Sequence, residues 1–482
     1  MNPFLLISVL PLLMACLGLF PRAARWLPRA GAIILLLQLP VVGWVCLPAF
    51  SGATIACGGF LMDGIGAAFT IITTLVAAAA LVQSALLLPA ERLEDSKMTD
   101  RRFCLFYTLS GIFILAVYAV PLVQHLGYLW IAVEATTLIS APLINYHRSR
   151  NSLEATWKYL LLCSVGIAFA LFGTVIIFAA QHAFTNGGTM MASELVAHAG
   201  TLDPRLLRLG FVFCLLGYGT KAGIFPLHNW LPDAHSEAPS AVSAMLSGAL
   251  LNSALVAVWR LSQIMAAAGQ SGLLRQLLVP AGAITVIAAS IMLVRQHDLK
   301  RMLAYSSVEH AGLLTLAIGI GSGKIFILHA FNHSLVKAAL FLLAGGVTYA
   351  YGTKALSRLG GIIKRAPAWG IALMVAGFAV AGSPPFGTFI SEWLLLRDAF
   401  AAGEVLAVAT VAIGLAITLI AITTHMGRAV FGRGHAPVRD VAVRTWTLTP
   451  AVLLALSLLA GVAISPPAMQ MLSVLAGQGG QP

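Results

Sequence analysis

"LGYGTKAGIFPLHNWLPDAHSEAP", residues 216–239, sets Lys221 inside an apolar run and then interrupts the run at Pro226. A charge beside a helix break is cheap in water and costly in hydrocarbon, so its meaning depends on the surrounding solvent. Composition identifies that solvent. Of the 482 residues, 59% are hydrophobic and 10% charged, with a mean hydropathy of +0.91, which leaves too little polar surface for a water-soluble globule. Outward from 216–239, about fourteen apolar runs are each long enough to cross ~30 Å of hydrocarbon at ~1.5 Å per residue. They span 3–20, 31–48, 64–88, 102–120, 124–145, 155–181, 206–232, 239–262, 274–295, 302–321, 325–349, 369–400, 404–427 and 447–468. The expected fold class is all-α, a polytopic membrane protein.

Two runs are broken by proline, the seventh at "GIFPLHNWLP" (Pro226) and the twelfth at "VAGSPPFGTFISEW" (Pro384, Pro385). Each is fourth in a block of five, helices 4–8 and helices 9–13. A unit with an odd number of crossings, repeated in tandem, arrives upside down. The pattern therefore predicts two inverted five-helix repeats, in which interrupted helices at matching positions mark the site of ion handling. No long polar linker divides the chain, so residues 1–482 read as a single membrane domain. Within it, 1–100 holds three N-terminal helices, 101–262 the first repeat, 274–430 the second and 447–468 the last helix. The segment 182–205 is the one place for a small external excursion.

The first run has no basic residue before it and Arg22, Arg25 and Arg29 after it, the reverse of a secretory signal peptide, so it reads as a retained helix that starts outside. Loops after odd-numbered runs then face the cytoplasm. Those loops carry most of the basic residues, among them Arg92, Arg101, Arg102, Arg148, Arg150, Arg295, Lys300, Arg301, Lys354, Arg358, Lys364, Arg365, Arg428, Arg433 and Arg439. The net charge of +12 is thus a topology signal, and no nucleic acid partner is expected. Lys158, near the end of the sixth run, is expected to snorkel to the headgroups. The six cysteines show no spacing suited to a metal, haem or iron–sulfur cluster. Phosphate-binding loops and hydrolase elbows are absent too, so no redox or hydrolytic site, no cofactor and no metal are expected in this chain.

Ionisable residues inside the runs are the candidate site, because each needs a partner or a use at that depth. "WIAVEATTLIS" places Glu134 near the middle of the fifth run. Lys221 precedes a break that would free backbone groups toward water or an ion, with His228 just beyond it. "HAFNHSLVKAALF" spaces His329, His333 and Lys337 four apart, on one helical face. Glu392 follows the second break. Asn252 and Ser253 in the eighth run, and Glu309 with His310 in the tenth, are supporting candidates. Bland alternatives exist: Asn252 and Ser253 as interhelical bonds, Glu309–His310 as a local interfacial pair, and Glu134–Lys221 as a static ion pair. The functional reading is a lateral row, Glu134, Lys221, Asn252 with water, Lys337 and Glu392, that carries protons, with His329 and His333 linking it toward one surface.

These same motifs, with "QHDLKRMLAYSSVEHAG", resemble the antiporter-like, proton-translocating membrane subunits of the complex I superfamily over about residues 100–400. Within that superfamily, "EATTLISAPLINYHRSRNSLEATWKYLLLCSVGIA" is most similar to the F component of hydrogenase-4, from group 4 membrane-bound hydrogenases. The resemblance implies a proton-pumping subunit in the inner membrane of a bacterium or archaeon, packed beside other membrane subunits and driven by a redox partner. It implies Glu134 and Lys221 as the interacting pair of one half-channel, Lys337 as the connecting lysine and Glu392 as the terminal residue of the other. Asn252 stands where complex I relatives commonly have lysine, so water must bridge there. The short tail "GQGGQP" lacks the long lateral helix of the largest members, which implies an internal position. A subunit of a Mrp-type cation/proton antiporter, with Na+ as cargo, is the alternative, and a purely structural anchor a third.

Overall fold

The computed structural model describes residues 3–94, 98–181, 188–434, 439 and 443–478. Part of the expected excursion (182–187) and the end of the GQGGQP tail (479–482) lie outside the described residues. The helices are α1 (Pro3–Leu17), α2 (Leu27–Cys46), α3 (Gly64–Glu94), α4 (Asp100–Leu122), α5 (Leu126–Ile144), α6 (Arg150–Ala179) and α7 (Ala192–Ala197). They continue with α8 (Pro204–Ala222), α9 (Trp230–Glu237), α10 (Ser240–Met245), α11 (Leu251–Ala267), α12 (Ser271–Val294), α13 (Leu299–Gly319) and α14 (Gly323–Tyr351). Last come α15 (Ile362–Arg365), α16 (Pro367–Val380), α17 (Gly387–Ala401), α18 (Val405–Phe431), α19 (Val443–Val462) and α20 (Pro466–Leu475).

Every predicted apolar run is helical, and both proline breaks split a run in two, α8 from α9 and α16 from α17. Ten helical segments among the described residues are long and apolar enough to cross a membrane, with Pro3–Leu17 and Pro367–Val380 as shorter apolar helices. The chain is a multi-pass, all-α membrane protein. Local chemistry sets the starts. Thr99, Ser149, Asp203 and Asp298 each accept a hydrogen bond from a first-turn amide of α4, α6, α8 and α13.

Three features escaped the pattern of apolar runs. A hairpin pairs β1 (Ile55–Cys57) with β2 (Phe60–Met62) through Gly58–Gly59, both at positive φ, a tight turn that the Gly-Gly dipeptide of "CGGF" signals. The segment after 188 is stitched to the α4–α5 connection, where Leu126 N donates to Met190 O (2.8 Å) and Ala192 N to Gln124 O (2.9 Å). A π-helical turn, Leu246–Leu250, separates α10 from α11.

The centre of the bundle is the α10–α11 segment with α13 and α14, whose residues are almost wholly buried, while α6, α18 and α19 show apolar outer faces. Such a surface suits lipid or neighbouring membrane helices. Small residues allow the tightest packing: a Cβ on Gly312 of α13 would stand 2.8 Å from the Gly282 carbonyl of α12. At one end of α3, the Arg260 guanidinium grips the Asp63 carboxylate (Nη2–Oδ1 2.7 Å) and the Pro121 carbonyl (3.0 Å). Burial alone would push the Asp63 carboxyl up, but the Arg260 charge and hydrogen bonds override it and hold the group below the usual carboxylate range.

Candidate functional site

Two buried lysine centres occupy the interior. In the first, Lys221 lies in the last turn of α8 and is wholly buried; its Nζ donates to Thr137 Oγ1 (2.8 Å) and Tyr159 OH (2.6 Å). The ammonium lies 4.7 Å from the Tyr159 ring centroid, and Tyr159 OH meets Ser140 Oγ at 2.7 Å. Thr137 in turn donates to Glu134 Oε2 (3.1 Å), while Ser164 Oγ donates to Oε1 (2.9 Å). An ammonium only donates, so Thr137 accepts from Lys221 and gives its single hydrogen to Glu134. Glu134, half-buried on α5, and Lys221 are therefore joined through one hydroxyl. The alternative of a direct static ion pair does not describe them.

Two backbone groups freed at the break after α8 are met by protein side chains, although Pro226 and Asn229 are exposed. Gly223, at φ +77°, ends the helix in the left-handed conformation, and Ile224 N reaches back to Gly219 O (2.9 Å). The carbonyl of Thr220 accepts from Trp230 Nε1 (2.8 Å), and Phe225 N donates to Thr285 Oγ1 (3.1 Å). The expectation that this break turns its freed groups toward water or an ion is corrected at these two atoms, because an indole and a threonine from neighbouring segments satisfy them. The second break behaves alike: the Ala379 carbonyl accepts from Thr388 Oγ1 (2.5 Å) and the Val380 carbonyl faces His310 Nε2 (3.2 Å). Both breaks contain a cis X-Pro bond, Phe225–Pro226 and Pro384–Pro385.

In the second centre, Lys337 of α14 is wholly buried and donates to the Leu303 carbonyl (2.9 Å) and to Ser306 Oγ, both on α13. Ser307, one residue on, meets Ser247 Oγ at 2.8 Å. The π turn makes this junction possible. Its Gly248 carbonyl accepts from Asn252 Nδ2 (3.1 Å) and Ser334 Oγ (2.7 Å), and Asn252 Nδ2 also donates to Ser334 Oγ (2.7 Å). Asn252 thus bonds across to α14, whereas Ser253 Oγ only returns to the Leu250 carbonyl of its own segment (2.7 Å).

His329, His333 and Lys337 share α14 and are each fully buried, but they meet different neighbours. His329 contacts Ser391 Oγ (2.9 Å) on α17 and His310 (3.0 Å) on α13; neither His333 nitrogen has a hydrogen-bond partner. The alternative of an interfacial Glu309–His310 pair is corrected: both residues are 1% exposed, and the His310 ring faces His329 (Nδ1–Nε2 3.0 Å) instead of its sequence neighbour. Glu392 packs its carboxylate against Gly382, at φ +65°, where any Cβ would collide with it. His228 is buried beside Phe225 (ring centroids 5.5 Å).

Several site residues were not singled out by the sequence: Thr137, Tyr159, Ser140, Ser306, Ser391 and His235. Thr137 follows Glu134 by three, so helical spacing from that charge would have found it, whereas Ser391 adjoins Glu392 and carries no such signal. His235 of α9 is fully buried, donates Nδ1–H to Leu231 O (2.9 Å), and has no partner at Nε2. Its ring lies between Trp230 (6.3 Å), which packs on Tyr159, and Phe341 (5.5 Å) of α14. It thus stands between the two centres, although no direct hydrogen bond joins Lys221 to Asn252 or Lys337. At the same end, Asp233 pairs with Lys158 (3.1 Å) and Arg301 (2.7 Å), and Lys354 with Glu237 (2.6 Å). Lys158 therefore ends in a charge network built on the acids of the opening stretch.

The chain is similar in sequence and fold to known membrane proteins. The family described as NADH:quinone oxidoreductase/Mrp antiporter, TM, matches residues 123–418. A Hydrogenase-4 component F homolog from Methylacidiphilum infernorum is 40% identical over 326 residues, 66% of this chain and 68% of that protein. NADH-quinone oxidoreductase subunit N of Desulforudis audaxviator is 32% identical over 296 residues, 61% of this chain and 58% of that one. In fold, a chain of the Mrp complex from Dietzia sp. DQ12-45-1b superimposes with a TM-score of 0.87 at 20% identity, covering 99% of this chain and 97% of that chain.

Proposed function

This chain belongs to the NADH:quinone oxidoreductase/Mrp antiporter membrane family, and on that premise we propose that it is a proton-translocating membrane subunit of a multisubunit oxidoreductase of the group 4 hydrogenase or complex I-like type. Partner membrane subunits flank it and a partner redox module drives it. The observation that carries the reading is the company of the two lysines. Lys221 and Lys337, both wholly buried, are bonded only to hydroxyls and a backbone carbonyl. A buried charge kept as structural cement needs a counter-ion in contact, because removal from water costs several kcal/mol. Groups that must gain and lose a proton are better served by neutral partners that tolerate both states.

In this reading, fourteen crossings start with the N-terminus outside, in the inner membrane of a bacterium or archaeon, and helices 4–8 and 9–13 form the two inverted repeats. Protons pass along Glu134, Thr137 and Lys221, then by His235 or water at Asn252 to Lys337, and by His333, His310 and His329 to Glu392. Moving one charge against 100 mV takes ~2.3 kcal/mol, which a pKa change of under two units supplies at ~1.36 kcal/mol each. Electrostatic coupling between neighbours is energetically sufficient.

The test is proton translocation in inverted membrane vesicles carrying the chain with its native partners. K221M and K337M are expected to assemble and to abolish translocation. Normal pumping by both would leave only the anchor reading. Identification of the co-purifying chains names the driving reaction. The Mrp-type antiporter alternative draws on the family match and the Mrp fold, and it requires transport that depends on Na+.

A further inference from the structure

Three ligand-type side chains from three helices converge in the second centre. One nitrogen each of His310 and His329 and a carboxylate oxygen of Glu392 all lie within 4.8 Å of one another, and all three residues are buried. Hydrogen bonding fixes where the lone pairs point. His310 Nε2 faces the Val380 carbonyl at 3.2 Å, an atom that only accepts, so Nε2 carries the hydrogen. Ser391 Oγ gives its one hydrogen to the Thr388 carbonyl (2.8 Å), so it accepts from His329 Nδ1 at 2.9 Å, and Nδ1 carries the hydrogen. In the neutral rings the inner nitrogens, His310 Nδ1 and His329 Nε2, are then both lone-pair atoms, and they face one another at 3.0 Å. Two acceptors at that separation call for a cation.

A shared proton is one such cation, and a metal ion is another. Zinc bound at ~2.0–2.1 Å in a tetrahedron holds its ligand atoms ~3.3 Å apart, close to the spacing of the two nitrogens. Glu392 has to close in by ~1.5 Å to reach such a spacing. Its Oε1 has no hydrogen-bond partner to lose. The outer contacts, a backbone carbonyl on one imidazole and a hydroxyl on the other, are of the kind that orient metal-binding histidines. The other titratable groups around the pair are Glu309 on α13 and His333 and Lys337 on α14. The Glu392 carboxylate touches Gly382, two residues before exposed Pro384 and Pro385.

We propose that His310, His329 and Glu392 bind one divalent transition-metal ion of the zinc type, and that the bound ion blocks the His310–His329 proton contact. The blocking half rests on the proton-transfer reading above; the binding half does not. Sequence spacing gave no sign of the site because each ligand comes from a different helix.

The chain, purified with its native partners and stripped by a chelator, is titrated with Zn2+ and the bound metal counted. One ion per chain is expected, with an X-ray absorption spectrum of two imidazole nitrogens and a carboxylate oxygen at ~2.0–2.2 Å. H329Q and E392Q should weaken binding at least 100-fold relative to the wild-type complex, and S391A, which touches only the outer nitrogen of His329, ~10–100-fold. Unchanged affinity in H329Q, or a native spectrum without imidazole, overturns the site; the native spectrum decides even where a variant fails to assemble. Zn2+ bound while translocation continues unaltered overturns the block. Binding with the expected ligands in a complex that moves no protons upholds the site and overturns the transport reading alone.

Discussion

Replacing Thr137 with valine tests whether the hydroxyl between Glu134 and Lys221 is the conducting link. The two side chains are close in volume, and Thr137 is fully buried, so the change removes one oxygen and leaves the packing of α5 intact. Lys221 keeps its bond to Tyr159, and Glu134 keeps the one from Ser164. What is lost is a contact that accepts from an ammonium and donates to a carboxylate. A hydrogen bond to a charged group is worth ~1.5–3 kcal/mol. If one such bond is lost from the barrier for transfer, at ~1.36 kcal/mol per decade, proton translocation falls ~10–150-fold. The assay is quenching of a pH-sensitive dye in inverted vesicles, with redox turnover of the partner module recorded in parallel. T137S restores the hydroxyl without the methyl and should pump near the wild-type rate. Wild-type pumping by T137V, or an equal deficit in T137S and T137V, would refute the argument, since the hydroxyl would then be irrelevant or the methyl decisive.

Gly382→Ala should cost ~1–3 kcal/mol, because a left-handed backbone and the Glu392 carboxylate both exclude a Cβ; the thermal midpoint of the purified complex reads it out, and an unchanged midpoint would contradict the packing. Trp230→Phe keeps the ring over Tyr159 but removes the indole bond to the Thr220 carbonyl, which retains only Gly223 N (3.2 Å), at ~0.5–1.5 kcal/mol, visible as faster hydrogen exchange at the end of α8. Asp63→Asn should destabilise the complex at neutral pH. The Asp63 pKa is depressed in the folded state, so its contribution is complete above the unfolded value of ~3.9 and disappears as pH falls through the lower folded value. Wild-type and variant stabilities should therefore begin to converge below about pH 4 and meet once the pH is below the folded-state value, and a difference that persists beyond that point would place the effect in packing rather than charge.

The broken runs show how far the sequence could be read. Pro226 and the Pro384–Pro385 pair each announced an interruption because proline lacks an amide hydrogen and here stands close to glycine (Gly223, Gly382), and the chain does break at both, whereas Pro11, Pro40 and Pro280 lie inside continuous helices. The π turn at Leu246–Leu250 carries no such mark. Gly248 and Ser247 look like ordinary small residues until Ser334 and Asn252 arrive at the freed carbonyl. Glu134 and Lys221 stood out as charges in oil, but Tyr159, which meets Lys221 from α6, did not, since a hydroxyl in an apolar run usually bonds its own helix, as Ser253 does.

By itself, then, the sequence determined the solvent, the helices, the breaks and the charged residues at depth, because hydrocarbon permits only backbones that satisfy their own hydrogen bonds and penalises every charge residue by residue. Those are local costs, and a linear string records them. Which donor meets which acceptor was decided only by the tertiary structure. The lone pairs of His310 and His329 face one another because a carbonyl on α16 and a serine on α17 take the opposite nitrogens, and no spacing along one helix encodes a contact among four.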